Sequence, residues 1–182
     1  MLLQGRTVRK ADKRGPRGEK HHNMTPKIRT ASIEDISIIS ALNADVQNIH
    51  AQALPKIFKP IGPNTFSPSE IAQLLSDSNH SIFIAELDGK AVGYVFVEIM
   101  HRAETAIQFA QDMLYIHHIS VMPDARKRGV GRALLDASKA FGKIHGIDTI
   151  ALDTWTFNKE AINFFQYFGL VPYNTKLWNR ID

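Results

Sequence analysis

No cysteine occurs among the 182 residues, which excludes disulfides, Cys-based zinc sites and a cysteinyl acyl-enzyme. Long apolar runs are missing as well. None approaches the roughly 18 residues of a membrane-spanning helix, and the N-terminus lacks the apolar centre of a secretory signal, so a cytoplasmic location is the expectation. Acidic residues are scarce over 1–23, where seven Lys/Arg face two Asp/Glu, whereas the rest of the chain holds 15 against 16. The basic excess therefore belongs to a leader, read either as a nucleic-acid-binding arm or, more plainly, as a flexible extension ahead of Met24. The near-neutral body disfavours nucleic acid as a partner. With 44% hydrophobic residues, residues 24–182 suit one globular domain that buries roughly 70% of its unfolded surface.

From Lys27 onward strand and helix patterns alternate. "KIRTA" reads as a short strand. Ile33, Ile36, Ile39, Leu42, Val46, Ile49 and Ala53 recur at helical spacing until Pro55, with Ser32 and Asp35 placed as a capping box. "SPSEIAQLLSDS" carries Ser67 as N-cap, Pro68 at the first helical position and Glu70 to close its box. "SIFIAEL" and "KAVGYVFVEIM" flank Asp88-Gly89, a pair suited to a tight hairpin, and residues 101–112 read as a loop. "MLYIHHISVM" predicts a third long strand, and a helix runs from Gly129 to Gly146 with Val130, Ala133, Leu134, Ala137, Phe141 and Ile144 as its stripe. "TIALDTW" predicts a strand, "NKEAINFFQYF" a helix capped by Asn158, and "LVPYNTKLW" a last strand.

Between the third strand and its helix lies "RKRGVGR". Helix N-termini present unpaired N–H groups and a positive dipole end. Glycines at 129 and 131 permit close approach of a ligand to the main chain, and Arg126, Lys127, Arg128 and Arg132 surround them with charge, as a diphosphate site requires. A solvated basic helix start explains the same residues without a ligand. A P-loop does not fit, because no Gly-Lys-Ser/Thr follows the glycines.

"ISVMPDARKRGVGRALLD" resembles the acyl-CoA loop of the GNAT superfamily of N-acetyltransferases, with Arg126, Gly129 and Gly131 at the three fixed positions of the family's motif. "NKEAINFFQYFGL" resembles its second landmark. The resemblance implies an α/β (α+β) fold: a mixed, mostly antiparallel sheet, splayed between strands 4 and 5 and flanked by helices. It implies an acetyl-CoA-dependent enzyme that needs no metal and acetylates a small-molecule or peptide amine by direct attack in a ternary complex. A homodimer is compatible with it, a membrane partner is not expected, and a non-catalytic acyl-CoA sensor is the alternative.

Carried over residue by residue, the resemblance places Arg126 to Arg132, Val130 included, around the diphosphate, and the main chain of Ile119, Ser120 and Val121 along the pantetheine arm. Asn158 matches a position near the cofactor sulfur, though an N-cap explains it equally. His117 matches a proton-relay histidine of arylalkylamine-acetylating members, or is a histidine satisfied in a core. Strict alternation would place it with Tyr115 on one face and His118 on the other. Asp153 matches a general-base Glu of peptide-acetylating members, and its apolar neighbours predict desolvation and a raised pKa; a turn cap or an ion pair is the other reading. Phe165 stands where a thiolate-protonating Tyr is common, which leaves Tyr115 or water as the acid. The regions around Phe58, Phe66 and Phe109 correspond to the acceptor side, where these rings line a pocket or serve as core.

Overall fold

A computed structural model describes residues 25–62, 65–179 and 181; the basic leader over 1–23 lies outside the described residues. The elements are β1 (Lys27–Thr30), a 3-10 turn (Ile33–Asp35), α1 (Ile36–Ala53), α2 (Pro68–Ser76), β2 (His80–Leu87), β3 (Lys90–Arg102), β4 (Gln111–Val121), a 3-10 turn (Pro123–Ala125), α3 (Val130–Ile144), β5 (Ile150–Leu152) and α4 (Lys159–Tyr167). The strands pair in the order β1-β2-β3-β4-β5. All pairings are antiparallel except β4 with β5, which is parallel.

Local chemistry accounts for most boundaries. Asp88 and Gly89 both take positive φ, 53° and 73°, the geometry that matches a two-residue turn to the twist of its strands. At α2, Glu70 N–H donates to Ser67 Oγ at 3.4 Å and the Glu70 carboxylate accepts from Ser67 N–H at 2.6 Å; such a cap contributes about 1 kcal/mol. The Ser32–Asp35 box also forms, and there Asp35 has a second task. Arg29 binds it through two nitrogens at 2.7 and 2.8 Å and reaches Glu86 at 2.6 Å, tying β1, the turn and β2 together. Hydrogen bonding from Arg29 holds the Asp35 carboxyl down at about 2.

The sheet carries a separate apolar layer on each face. Val95, Val97, Ile99, Leu114 and Ile116 pack with Val130, Leu134 and Leu135 of α3 and Phe165 of α4. Tyr94 and Phe96 pack with Ile82, Ile84, Ile39 and Leu42 of α1, and Ile71 of α2. Four residues of the predicted helix stripes, Ile33, Ile49, Ala53 and Ile144, are exposed, because each lies near an end of its segment, beyond the reach of the sheet.

The predicted last strand does not form. Residues 170–179 make no ladder, and Val171, Tyr173, Leu177 and Trp178 are exposed. A strand needs a partner, and β5, only three residues long, offers a short edge, while Pro172 has no N–H to donate. The expected divergence of strands 4 and 5 is present: β5 pairs only with Leu114–Ile116, although β4 continues to Val121.

Candidate active site

The divergence begins at a β-bulge. Phe96 pairs with His118 and Val97 with Ile116, so His117 is an extra residue on β4 with no partner on β3. A bulge bends its strand and disrupts strict alternation. Beyond it, Ile119–Val121 still pair with Gly93–Val95 on one side, while the β4–β5 ladder has already ended on the other. Close β3–β4 pairing here requires Gly93, since a Cβ at this residue would lie 2.6 Å from the Ser120 carbonyl oxygen. Ser120 is buried, and its hydroxyl donates to the Leu42 carbonyl at 2.9 Å, fastening β4 to α1.

The open side of β4 leads into the basic loop. Lys127 and Gly129 both have positive φ, 59° and 81°. Gly129 is the N-cap of α3, a 15-residue helix whose first amides receive no side-chain cap, and a Cβ at Gly129 would meet nothing within 4 Å. Gly131 has a different reason to be glycine: its Cβ would lie 3.0 Å from the Phe164 ring, so it lets α4 pack against α3. Arg126 donates from Nε to the Val121 carbonyl at 3.2 Å and pairs with Glu160 at 3.5 Å, and Arg132 pairs with Asp136 at 3.5 Å. These are exposed contacts of the kind worth at most about 1 kcal/mol, and an anion can displace them. Lys127 and Arg128 are exposed.

Titratable side chains gather at the bulge. His117 stacks on Phe96 (centroids 4.7 Å, 18°) and meets the Tyr115 ring edge-on at 4.9 Å. Its Nε2 lies 2.6 Å from Glu98 Oε2. His118 also lies on this face, against Phe96 and Phe66. Tyr94 donates its hydroxyl proton to Asn43 Oδ1 at 2.8 Å, so its 3.1 Å contact with His118 Nδ1 requires that nitrogen to be the donor. Burial, then the neighbouring His117 and His50, lower the His118 pKa to about 4. Burial, then the Asp153 carboxylate, push the Tyr115 hydroxyl up to about 12. Among the described residues, no group of three or more His, Asp or Glu could hold a metal ion, and no helix is long and apolar enough to cross a membrane.

The acetyltransferase (GNAT) family model matches residues 43–170, from the middle of α1 through α4. The chain belongs to the GNAT acetyltransferase family. It is 28% identical over 146 residues to an N-alpha-acetyltransferase of Sulfurisphaera tokodaii, covering 79% of this chain and 78% of that one. In fold it is similar to the tetramutant of the BH1408 protein from Bacillus halodurans (TM-score 0.80, 22% identity, 85% of this chain and 99% of that one). It is likewise similar to AAC(6')-Iy in complex with the bisubstrate analog CoA-S-monomethyl-acetylneamine (TM-score 0.70, 21% identity, 87% and 99%).

In this GNAT acetyltransferase the residues predicted from the sequence separate into groups. Tyr115 and His117 are together on one face, as alternation predicts. His118 is not on the opposite face, because the bulge returns it to the side of Tyr115. Asp153 is not desolvated: β5 ends at Leu152, and the Asp153 side chain is 70% exposed and 3.3 Å from Lys176 Nζ. Asn158 caps α4 by accepting from Ala161 N–H at 3.2 Å. Phe165 is 6% exposed within the α3-side core. Phe109 is exposed in the β3–β4 loop, whereas Phe58 packs with His50 and Trp155. Sequence reasoning missed Glu98, 19 residues from its partner His117, because only the antiparallel register of β3 and β4 brings them together.

The neutral burial of His118 has a consequence for stability. Its folded pKa lies below the ordinary 6.5, so between about pH 6.5 and 4 the unfolded chain binds a proton that the folded chain refuses, and stability falls with pH across that window. We expect His118→Phe to flatten the decline of melting temperature between pH 7 and 4.5. A decline as steep as in the wild type would assign the acid sensitivity elsewhere.

Proposed function

We propose that the protein transfers an acetyl group from acetyl-CoA to a primary amine of a small molecule or peptide, by direct attack in a ternary complex. The observation that carries this reading is the continuity of two backbone surfaces: the edge of β4 that β5 leaves unpaired beyond Ile116, where an exposed Arg126 contact covers the Val121 carbonyl, and the start of α3 at Gly129, which has no side-chain cap. An extended arm bearing amides complements the first, and a diphosphate complements the second. Ile119–Val121 serve through main-chain groups, consistent with the Ser120 hydroxyl being engaged by Leu42. Arg126, Lys127, Arg128 and Arg132 supply charge around the phosphates, while Val130 and Gly131 contribute backbone.

The acetyl end then lies toward the bulge. An ammonium must lose a proton before it attacks, and His117 is the group placed to take it. His118 is a poor base, since its pKa is held near 4. Tyr115 at about 12 is a poor acid toward a thiolate whose conjugate acid titrates near ~8.5, because the proton would move from the weaker acid to the weaker base. Phe165 has no proton to give. The thiolate therefore leaves without a protein acid and is protonated after it departs, by exchange with bulk solvent at neutral pH, below the ~8.5 of its conjugate acid.

The acceptor class draws support from the Sulfurisphaera relative, named for N-alpha acetylation, and from the aminoglycoside N(6')-acetyltransferase of Salmonella typhimurium, 28% identical over 58% of this chain. The test is release of free thiol from acetyl-CoA with purified protein across aminoglycosides, arylalkylamines, polyamines and peptides with free N-termini. The expected result is release well above the amine-free rate for one class. Acetyl-CoA binding with no amine-dependent release from any class would overturn the enzymatic reading in favour of a sensor.

A further inference from the structure

His117 sits on the bulge, where β3 provides no partner to fix its backbone, so its ring must be oriented by side-chain contacts. Glu98 supplies the polar one. Its Oε2 lies 2.6 Å from His117 Nε2 and 3.8 Å from His80 Nε2, on the face where Phe96 stacks beneath His117 and meets His80 edge-on at 5.4 Å. His80 Nδ1 lies 3.2 Å from Asp77 Oδ2, yet is buried without a hydrogen bond, so His80 is a neighbour of Glu98 and not its anchor. An ionised carboxylate only accepts. The proton on neutral His117 is therefore on Nε2 and the lone pair on Nδ1, which has no hydrogen-bond partner among the described residues.

We propose that Glu98 is a positioning residue for acyl transfer: through its bond to Nε2 it fixes the ring plane and tautomer of His117, so that Nδ1 is the atom that accepts the amine proton. The proposal rests on the role given to His117 above. An N–H proton of the acceptor ammonium passes to Nδ1, and the freed nitrogen lone pair attacks the thioester carbonyl. The C–N bond forms and the C–S bond breaks, the thiolate departs with the bonding pair, and the acylated nitrogen sheds its second proton, which passes through solvent to the thiolate. The imidazolium, now with both nitrogens protonated, is stabilised by Glu98 and returns its proton to solvent. A purely structural Glu98–His117 contact, with the side chains 27% and 31% exposed, would set the same tautomer but leave kcat unchanged when it is removed, so turnover separates the two roles.

The test has a spectroscopic arm and a kinetic arm. In 15N-labelled protein, the long-range 1H–15N correlations of the His117 ring report its tautomer without any substrate. Wild type is expected to show Nε2–H, Glu98→Ala a mixture of tautomers, and Glu98→Gln, whose amide oxygen can still accept, a largely retained Nε2–H. His80→Ala, which leaves the 2.6 Å contact in place, should also retain it. In turnover, Glu98→Ala is expected to lower kcat roughly 10- to 100-fold, the range found when a carboxylate orienting a histidine is lost, with KM for acetyl-CoA unchanged and little further loss when combined with His117→Ala. An unchanged tautomer in Glu98→Ala would overturn the proposal, as would equal losses in the presence and absence of His117. If His117→Ala alone leaves kcat intact while Glu98→Ala still scrambles the tautomer, the His117 relay fails and the catalytic role of Glu98 fails with it. Acetyl-CoA binding and amine-dependent thiol release, measured on the same wild-type sample, report separately on the overall function.

Discussion

Gly129→Asp is expected to abolish the rise in melting temperature that acetyl-CoA produces. A ligand that binds only the folded state stabilises it by about 2.7 kcal/mol at one hundred times its dissociation constant, which makes the wild-type shift large enough to read. Gly129 stands at the N-cap of α3 with φ of 81° and open space where a Cβ would project. A carboxylate there would put negative charge against the incoming diphosphate. The backbone cost needs its own control, and Gly129→Asn provides one, because Asn tolerates the left-handed region and carries no charge. Loss of the shift in the Asp variant with substantial retention in the Asn variant assigns the effect to charge. A full shift in Gly129→Asp would remove the diphosphate from this position. Gly131 is a poorer probe: any side chain there presses on Phe164, so a loss would report on α3–α4 packing as much as on the ligand.

His117→Ala is expected to lower turnover at neutral pH by roughly 10²- to 10⁴-fold, the usual contribution of a positioned proton acceptor, while the acetyl-CoA-induced melting shift stays as in the wild type. Raising the pH should recover part of the loss. A lysine-type amine titrates near ~10.4, and once it is neutral it needs no help. Asp153→Asn should cost far less, since the Asp153 carboxylate is exposed and already faces Lys176. A comparison of the two variants in single turnover across pH separates the candidates. A larger, pH-rescued loss at Asp153 than at His117 would reverse the assignment.

Features set by neighbours in the chain were legible in the sequence. The Asp88-Gly89 turn, the Ser67–Glu70 box, the Asn158 cap and the glycine at the start of α3 each announce themselves within four residues, because capping and turn geometry are local. The two apolar layers followed from strand and helix periodicity, except near the ends of α1 and α3. What depended on pairing was not legible. The bulge is a mismatch between β3 and β4, so a pattern confined to one strand cannot reveal it, and the face of His118 was misjudged for that reason. The desolvation expected of Asp153 presumed that β5 extends past Leu152, and "LVPYNTKLW" has strand-forming residues without a neighbour to form a strand with. Glu98 reads from the sequence as one acid in an apolar strand; its meaning comes from the residue opposite.

The ten residues Gly93–Arg102 of β3 face eleven of β4, Gln111–Val121. The surplus amounts to about 3.3 Å of strand length, and it is absorbed at His117. Removing that residue would leave Ile116 and His118 adjacent, each on the face it already occupies, so both apolar layers would keep every member. Such a shortened β4 would lose its bulge, and His118 would follow Ile116 directly, where the β4–β5 ladder ends. One extra residue thus supplies both the bend in β4 and the imidazole that stacks on Phe96, and a deletion cannot take one and spare the other.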